Sequence, residues 1–337
     1  MSKHQRIAWL VSLLVLLLMM ISVGGITRLT KSGLSITEWR PVTGILPPLT
    51  EEAWQKEFTL YQNSPEFQQH NAHFELEDYK GIFWWEYIHR VLGRVIFFVA
   101  AAMGFLFWKK GVATGRYALF LPALITFQGL IGWLMVRTGL NHRPSVSHFM
   151  LTVHFLLALI TMTTVYYPLA KMKKSIPVQL SRQGYSMIVL MGVLIVLQII
   201  YGCFTSGLRA GQVFNTFPLM GDSFWPPDGL HFKPAFRNLF ENPITVQWIH
   251  RWLGIITGTF VLVTSAYLVK RESPLFKRLT LHLVSVVLIQ IVLGISTLLL
   301  HAPIHLAVFH QMMAVLIWLG YCNIIFRVER PRLSMDH

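Results

Sequence analysis

The sequence predicts an all-α integral membrane protein: eight transmembrane helices arranged as two pseudo-symmetric four-helix bundles, N-in and C-in, with two long outer lid segments. Three observations carry this prediction. The 337 residues are 54% hydrophobic and only 13% charged, about half the charged fraction of a soluble domain. Uncharged apolar runs of about 20 residues recur along the chain, the length needed to cross ~30 Å of hydrocarbon. A motif of eight residues occurs twice, with further matches around it at equivalent spacing.

The spans are expected at 7–26, 84–108, 117–136, 146–169, 185–206, 245–269, 279–300 and 304–326. The first follows the short basic segment Met1–Arg6. It is too long for a signal-peptide core and is followed by no small-residue cleavage site, so it reads as a retained helix. Lys3/Arg6, Lys109/Lys110/Arg116, Lys171/Lys173/Lys174/Arg182, Lys270/Arg271/Lys277/Arg278 and Arg327/Arg330/Arg332 all fall on one side of these spans. By the positive-inside rule that side is the cytoplasm, and both termini lie there. The formal charge of +14 is thus spent on short loops, and no basic stripe interleaved with aromatics points to nucleic acid.

Most acidic residues fall in the segments 27–83 and 207–244, expected to be lids on the outer membrane surface. Thr50-Glu51-Glu52 and Ser64-Pro65-Glu66 read as helix starts, and Pro226-Pro227-Asp228-Gly229 reads as turns. Trp84-Trp85 reads as an interfacial belt. Cys203 and Cys322, each in or near an apolar helix, read as small packing residues.

The repeat divides the chain into an N-terminal unit, 1–180, and a C-terminal unit, 181–337. Glu86-Tyr87-Ile88-His89-Arg90-Val91-Leu92-Gly93 in the second span matches Gln247-Trp248-Ile249-His250-Arg251-Trp252-Leu253-Gly254 in the sixth. Gln128…Gly132 matches Gln290…Gly294, Gln198…Gly202 has the same spacing, and His154 pairs with His310. Two units in the same membrane orientation follow, related by an axis along the membrane normal.

The loop count puts His89, His154, His250 and His310 at similar depth, roughly 8–13 Å below the outer surface at ~1.5 Å per residue. Ionisable residues at membrane depth are costly and usually functional. A pair of facing imidazoles in an apolar bundle suits a planar iron porphyrin with axial nitrogen ligands. A lone histidine would more often bond a neighbouring helix, but four in two repeated pairs argue for ligands. Zinc also takes imidazole, yet it wants three or four close donors. Gly93, Gly132, Gly254 and Gly294 would let a macrocycle or a neighbouring helix come close. Arg90 and Arg251 would suit the propionates of such a ligand, with snorkelling to lipid headgroups as the alternative. His148 and His301 read as interface residues, with His148 near enough to His154 to assist.

The repeat fails at one informative place. Glu86 shares a helical face with His89, whereas its counterpart is Gln247, which cannot ionise. A carboxyl at this depth is expected to have a raised pKa and to handle protons; a structural salt bridge with an arginine is the alternative. The first unit is therefore expected to do chemistry and the second to hold a fixed cofactor.

The run Gly25-Ile26-Thr27-Arg28-Leu29-Thr30-Lys31-Ser32-Gly33-Leu34-Ser35, then Trp39-Arg40-Pro41 and Gly44-Ile45-Leu46-Pro47-Pro48, resembles the haem A synthase family. So do Trp54, Phe58, Tyr61, Pro65-Glu66-Phe67 and the run from Glu86 to Arg94. The resemblance covers essentially the whole chain and is closest to the proteobacterial and mitochondrial branch. The branch with a cysteine pair in the first outer segment does not fit, because 27–83 contains no cysteine.

This resemblance implies an oxidoreductase acting on a CH group of haem O. The C8 methyl would become the formyl group of haem A, for a terminal cytochrome oxidase. It implies haem B as bound cofactor on His250 and His310, the substrate haem iron at His89 and His154, and Glu86 as the essential carboxylate. It further implies the bacterial inner membrane, haem sites toward the periplasmic side, haem O delivered by haem O synthase, an electron partner of unknown identity and room for a homo-oligomer. Two other readings keep the same histidines: a di-haem b-type cytochrome that only carries electrons, and a haem carrier or exporter.

Overall fold

The computed structural model describes residues 1–40, 43–112, 115–141, 145–172, 178–273 and 276–329. Pro41, Lys173, Lys174, Arg330, Arg332 and the Arg116 side chain lie outside the described residues. Among those described, eight helices are long and apolar enough to cross a membrane. They are α1 (Lys3–Leu29), α3 (Leu76–Lys109), α4 (Gly115–Asn141), α5 (His148–Met172), α6 (Arg182–Gly207), α8 (Pro243–Tyr267), α9 (Phe276–Leu299) and α10 (Ile304–Ile325). Two shorter helices, α2 (Glu51–Gln62) and α7 (Asn238–Glu241), lie in the long connections. Phe98, Phe120, Ile160 and Val292 are exposed on the long helices, the outward apolar pattern that a lipid-facing surface requires.

Local chemistry sets the helix ends. The Ser2 hydroxyl accepts from the Gln5 amide while the Gln5 side chain accepts from the Ser2 amide, a reciprocal cap that starts α1. Asn242 caps α8 through the Ile244 amide, with Pro243 in the first turn, where a proline nitrogen has no bond to lose. The α3 helix begins at Leu76, eight residues before the expected start at 84. At ~1.5 Å per residue its 34 residues span roughly 50 Å, well beyond a ~30 Å hydrocarbon core. Hydropathy locates only the lipid-facing part of such a helix.

Chain packing divides the molecule into two compact units, Met1–Val165 and Tyr166–His337, so the division falls within α5. In the first unit α3 packs on both α1 and α4. The extra turns of α3 carry the first connection. Trp54, Phe58 and Tyr61 of α2 pack with Tyr79 and Phe83 of α3 in one buried cluster. Trp54 meets Phe83 edge-on at 4.9 Å, and Tyr61 stacks on Tyr79 at 5.2 Å.

The Tyr61 hydroxyl accepts from Asn71 at 2.7 Å and donates to Glu66 at 3.4 Å. The Thr50 and Ser64 hydroxyls cap the two turns as expected, accepting from the Ala53 and Phe67 amides. Trp84 lies two turns inside α3, and its ring meets Trp54 at 5.8 Å; it packs on α2 instead of standing at a helix start.

In the second unit α8 packs on α6 and α9, and α9 on α10. Its long connection is held by amides rather than by a helix. Asn242 Nδ2 donates to the Asp228 and Gly229 carbonyls at 3.0 and 3.1 Å, closing the turn at Pro226–Gly229. Asn238 donates to the Phe232 and Ala235 carbonyls, and Trp248 Nε1 donates to the Phe224 carbonyl. Both α1 and α6 end in a left-handed residue, Lys31 (φ 58°) and Arg209 (φ 54°), followed by a short 3-10 turn. Cys203 and Cys322 sit unbridged within α6 and α10.

Two outcomes are expected. Trp54→Ala should remove about 3–5 kcal/mol from the first connection and speed its proteolysis in detergent; an unchanged cleavage rate would refute this packing. Burial, reinforced by Glu66, pushes the Tyr61 hydroxyl well above its ordinary value of 10.0. The folded unit then favours the neutral phenol, so stability should be level below about pH 10 and fall as pH rises beyond it. Tyr61→Phe should flatten that alkaline slope, read by thermal unfolding across pH.

Candidate haem site

The four histidines lie on α3, α5, α8 and α10, and each ring rests on a glycine of a neighbouring helix. A Cβ on Gly24 of α1 would come 2.9 Å from His89 Cε1, and one on Gly132 of α4 would come 3.1 Å from His154 Cε1. In the second unit, Gly202 of α6 and Gly294 of α9 would meet His250 and His310 Cε1 at 3.2 and 2.8 Å. Only a residue without a side chain lets an imidazole sit so close to the opposing backbone.

Gly132 and Gly294 therefore do seat something, and what they seat is the imidazoles. Gly93 and Gly254 instead face the Met20 and Gln198 side chains. Gly24 escaped the sequence reading because its helix carries Met20 where the other glycines follow a glutamine.

His250 and His310 stand with ring centres 6.5 Å apart and planes at 87°. An ion between two imidazole nitrogens, each at about 2 Å, would hold the ring centres roughly 6 Å apart, so this pair fits axial ligation. All four rings are half-buried, and Nδ1 of His89, His154 and His310 is buried with no hydrogen-bond partner. Among the described residues no three His, Cys, Asp or Glu side chains gather into a closed metal cage. The donor set is two pairs of imidazoles, which suits a porphyrin iron better than zinc.

Glu86 is buried at 3% exposure and fully engaged. Oε2 accepts from the Ser35 hydroxyl and the Ile36 amide, both at 2.8 Å. Oε1 accepts from Arg90 Nη2 at 2.6 Å and Nε at 3.1 Å. Arg90 Nη2 also donates to the Ile36 carbonyl at 2.9 Å, and Nη1 to the Glu38 carbonyl at 3.3 Å. Together the pair clamps the first connection onto α3.

The second unit repeats the clamp without the carboxylate. Gln247 Nε2 and Arg251 Nη2 both donate to the Phe214 carbonyl, at 3.0 and 2.7 Å. Arg251 Nη1 reaches the Thr216 and Leu219 carbonyls at 2.6 and 3.1 Å. Both arginines thus hold the connections through backbone carbonyls, partners that the sequence did not anticipate. His148 opens α5, and His301 is exposed in the turn after α9 with φ 59°.

The glycine seats can be tested against an internal control. Gly202→Val should displace the His250 ring, costing about 1–3 kcal/mol of overpacking and abolishing any absorbance from a histidine-ligated haem. Gly129→Val, at a position with nothing within 4 Å, should change neither. Equal behaviour of the two variants would remove the seats from the argument.

Residues 7–321 match the family of cytochrome oxidase assembly proteins, COX15-CtaA. A heme A synthase of Wolbachia sp. subsp. Brugia malayi is 37% identical over 325 residues, 94% of this chain and 95% of that protein. One from Brucella anthropi is 40% identical over 315 residues, 92% and 88% of the two chains. Another, from Wolbachia pipientis subsp. Culex pipiens, is 39% identical over 318 residues, 92% and 93%. With a match from the first helix into the last, the chain belongs to the COX15-CtaA family of cytochrome oxidase assembly proteins.

Proposed function

We infer that this chain is a haem A synthase, an oxidoreductase that converts the C8 methyl group of haem O to the formyl group of haem A. The unequal repeat is the observation that carries this reading. Two histidine pairs sit in like settings, and only the first has a carboxylate, Glu86, one turn from its histidine. The name shared by the relatives supports a synthase over a di-haem cytochrome or a haem carrier.

In this reading His250 and His310 hold haem B, and His89 and His154 receive haem O. Bound iron supplies the redox chemistry; the chain supplies position and exclusion of water. Methyl to formyl requires one oxygen atom and the removal of four electrons, by way of an alcohol and a hydrated aldehyde that loses water. An electron partner, acceptor if water supplies the oxygen and donor if dioxygen does, completes the balance. Glu86 stabilises positive charge developing at the methyl carbon and, with Arg90, keeps Ser35–Glu38 closed over the first site as a lid. Arg251 does the same for the second lid through the 214–219 carbonyls. In this reading both termini lie on the cytoplasmic side, which the basic segments support, of a bacterial inner membrane, with the haem sites toward the periplasm and haem O arriving from a haem O synthase.

Expression with a haem O supply, followed by chromatography of the extracted haems, tests the reading. The wild-type chain should yield haem A, and Glu86→Gln should lower the yield roughly 100-fold or more, the scale of losing one preorganised electrostatic partner. No haem A or hydroxylated haem O from wild type, with Glu86→Gln indistinguishable from it, refutes the synthase. His250→Ala and His310→Ala should each lose the tightly bound haem spectrum; a normal spectrum in either would move the cofactor elsewhere.

A further inference from the structure

The two units seat their histidines alike but hold them differently. On α6, Gln198 precedes the His250 seat, Gly202, by one helical turn. Its Nε2 lies 3.1 Å from His250 Nδ1 and 3.1 Å from the His250 carbonyl oxygen. The ring is thereby fixed at two points, by the glycine beneath Cε1 and by the amide beside Nδ1.

On α1 the same frame recurs, with Gly24 under His89 and Met20 one turn before it. A Cβ on Gly93 would come 3.4 Å from the Met20 methyl, where in the second unit one on Gly254 would come 3.0 Å from the Gln198 amide nitrogen. His89 Nδ1 is buried and has no hydrogen-bond partner.

At the other histidine of each unit a glutamine does precede the glycine seat, and Nδ1 has no partner in either unit. Gln128 Nε2 donates to the His154 carbonyl at 2.9 Å. Gln290 Nε2 stands 3.5 Å from His310 Nε2. Gln128 thus holds the backbone at His154 while Gln290 stands beside the His310 ring, and of the four seats Met20 marks the one with no amide in the preceding turn.

An imidazole that binds a metal through Nε2 carries its proton on Nδ1, and the acceptor of that proton sets ring orientation and ligand basicity. Gln198 Oε1 is buried and unpartnered. A half-turn of the amide, which exchanges oxygen and nitrogen, would present Oε1 to Nδ1–H and give up the bond from Nε2 to the His250 carbonyl, an exchange that iron on Nε2 would drive by placing the proton on Nδ1. A thioether is a weak acceptor and offers His89 no equivalent. A buried donor left without an acceptor costs about 1–3 kcal/mol, a penalty that falls on His89, as on His154 and His310, and that His250 alone avoids.

We propose that Gln198 is the positioning residue that makes His250 a permanent axial ligand, and that Met20 in the equivalent place makes His89 a ligand that releases its iron. The proposal rests on the synthase reading, in which one haem stays and the other must enter and leave. It assigns the exchange to the His89 side of the first site.

The test uses the full-length protein in detergent, loaded with haem B and haem O. Redox titration of the second-unit haem should give a lower midpoint potential in Gln198→Glu, whose carboxylate strengthens the pull on Nδ1–H, and a higher one in Gln198→Leu. A merely structural role would not shift the two in opposite directions. Dissociation of haem O to an apo-globin acceptor should slow at least tenfold in Met20→Gln. Parallel or absent potential shifts, or haem loss in both Gln198 variants, would overturn the role of Gln198. An unchanged haem O off-rate in Met20→Gln would overturn that of Met20. Haem A formation is scored in the same wild-type preparation. Opposite shifts without haem A sink the synthase reading alone, and haem A without the shifts sinks the clamp alone.

Discussion

An imidazole lying on a glycine backbone is the contact from which the rest of each unit follows. A histidine inside a hydrocarbon-spanning helix cannot face lipid without a large desolvation cost, and it cannot enter a helix interface unless the opposing residue gives way. Gly24 and Gly294 give way at distances that a Cβ would not allow without displacing the ring, and Gly132 and Gly202 at distances that a Cβ would crowd. Each seat fixes the register of two helices. Each of these histidines is half-buried.

The connections between the helices are held by polar groups that the membrane would otherwise penalise. Arg90 and Arg251 each follow a histidine directly, and each donates to backbone carbonyls of its own connection, Arg90 to the Glu86 carboxylate as well. An arginine fork matches such acceptors well, and the carbonyls of an irregular segment need donors that no helix or sheet supplies. One side chain therefore orders each strap, although Arg251 Nε stays buried without a partner. In the first unit the strap is further weighted by the aromatic cluster of Trp54, Phe58, Tyr61, Tyr79 and Phe83, and in the second by Asn238 and Asn242.

Against this shared plan the departures stand out. Glu86 accepts where Gln247 donates, so the first clamp is an ion pair with four donors around one carboxylate, while the second is a set of amide and guanidinium donors to carbonyls. Met20 stands where Gln198 would hold a ring. Both departures fall in the first unit and beside the same histidine, His89. A unit built to retain a cofactor and one built to turn over a substrate would diverge in this way.

The sequence by itself determined the eight spans, the repeat and the identity of the four histidines, because hydropathy, loop charge and spacing are properties of the linear chain. It also marked Thr50 and Ser64 as helix starts, since a cap is read within four residues. It could not show that α3 runs on to Leu76, because those turns pack on Trp54 and Tyr61 from another element. Gly24 was likewise hidden, since its partner His89 lies 65 residues away and no glutamine flags it. The partners of Arg90 and Arg251 were decided only by tertiary structure. A guanidinium takes a propionate or a carbonyl equally well, and only the path of the connection settles which acceptor reaches it.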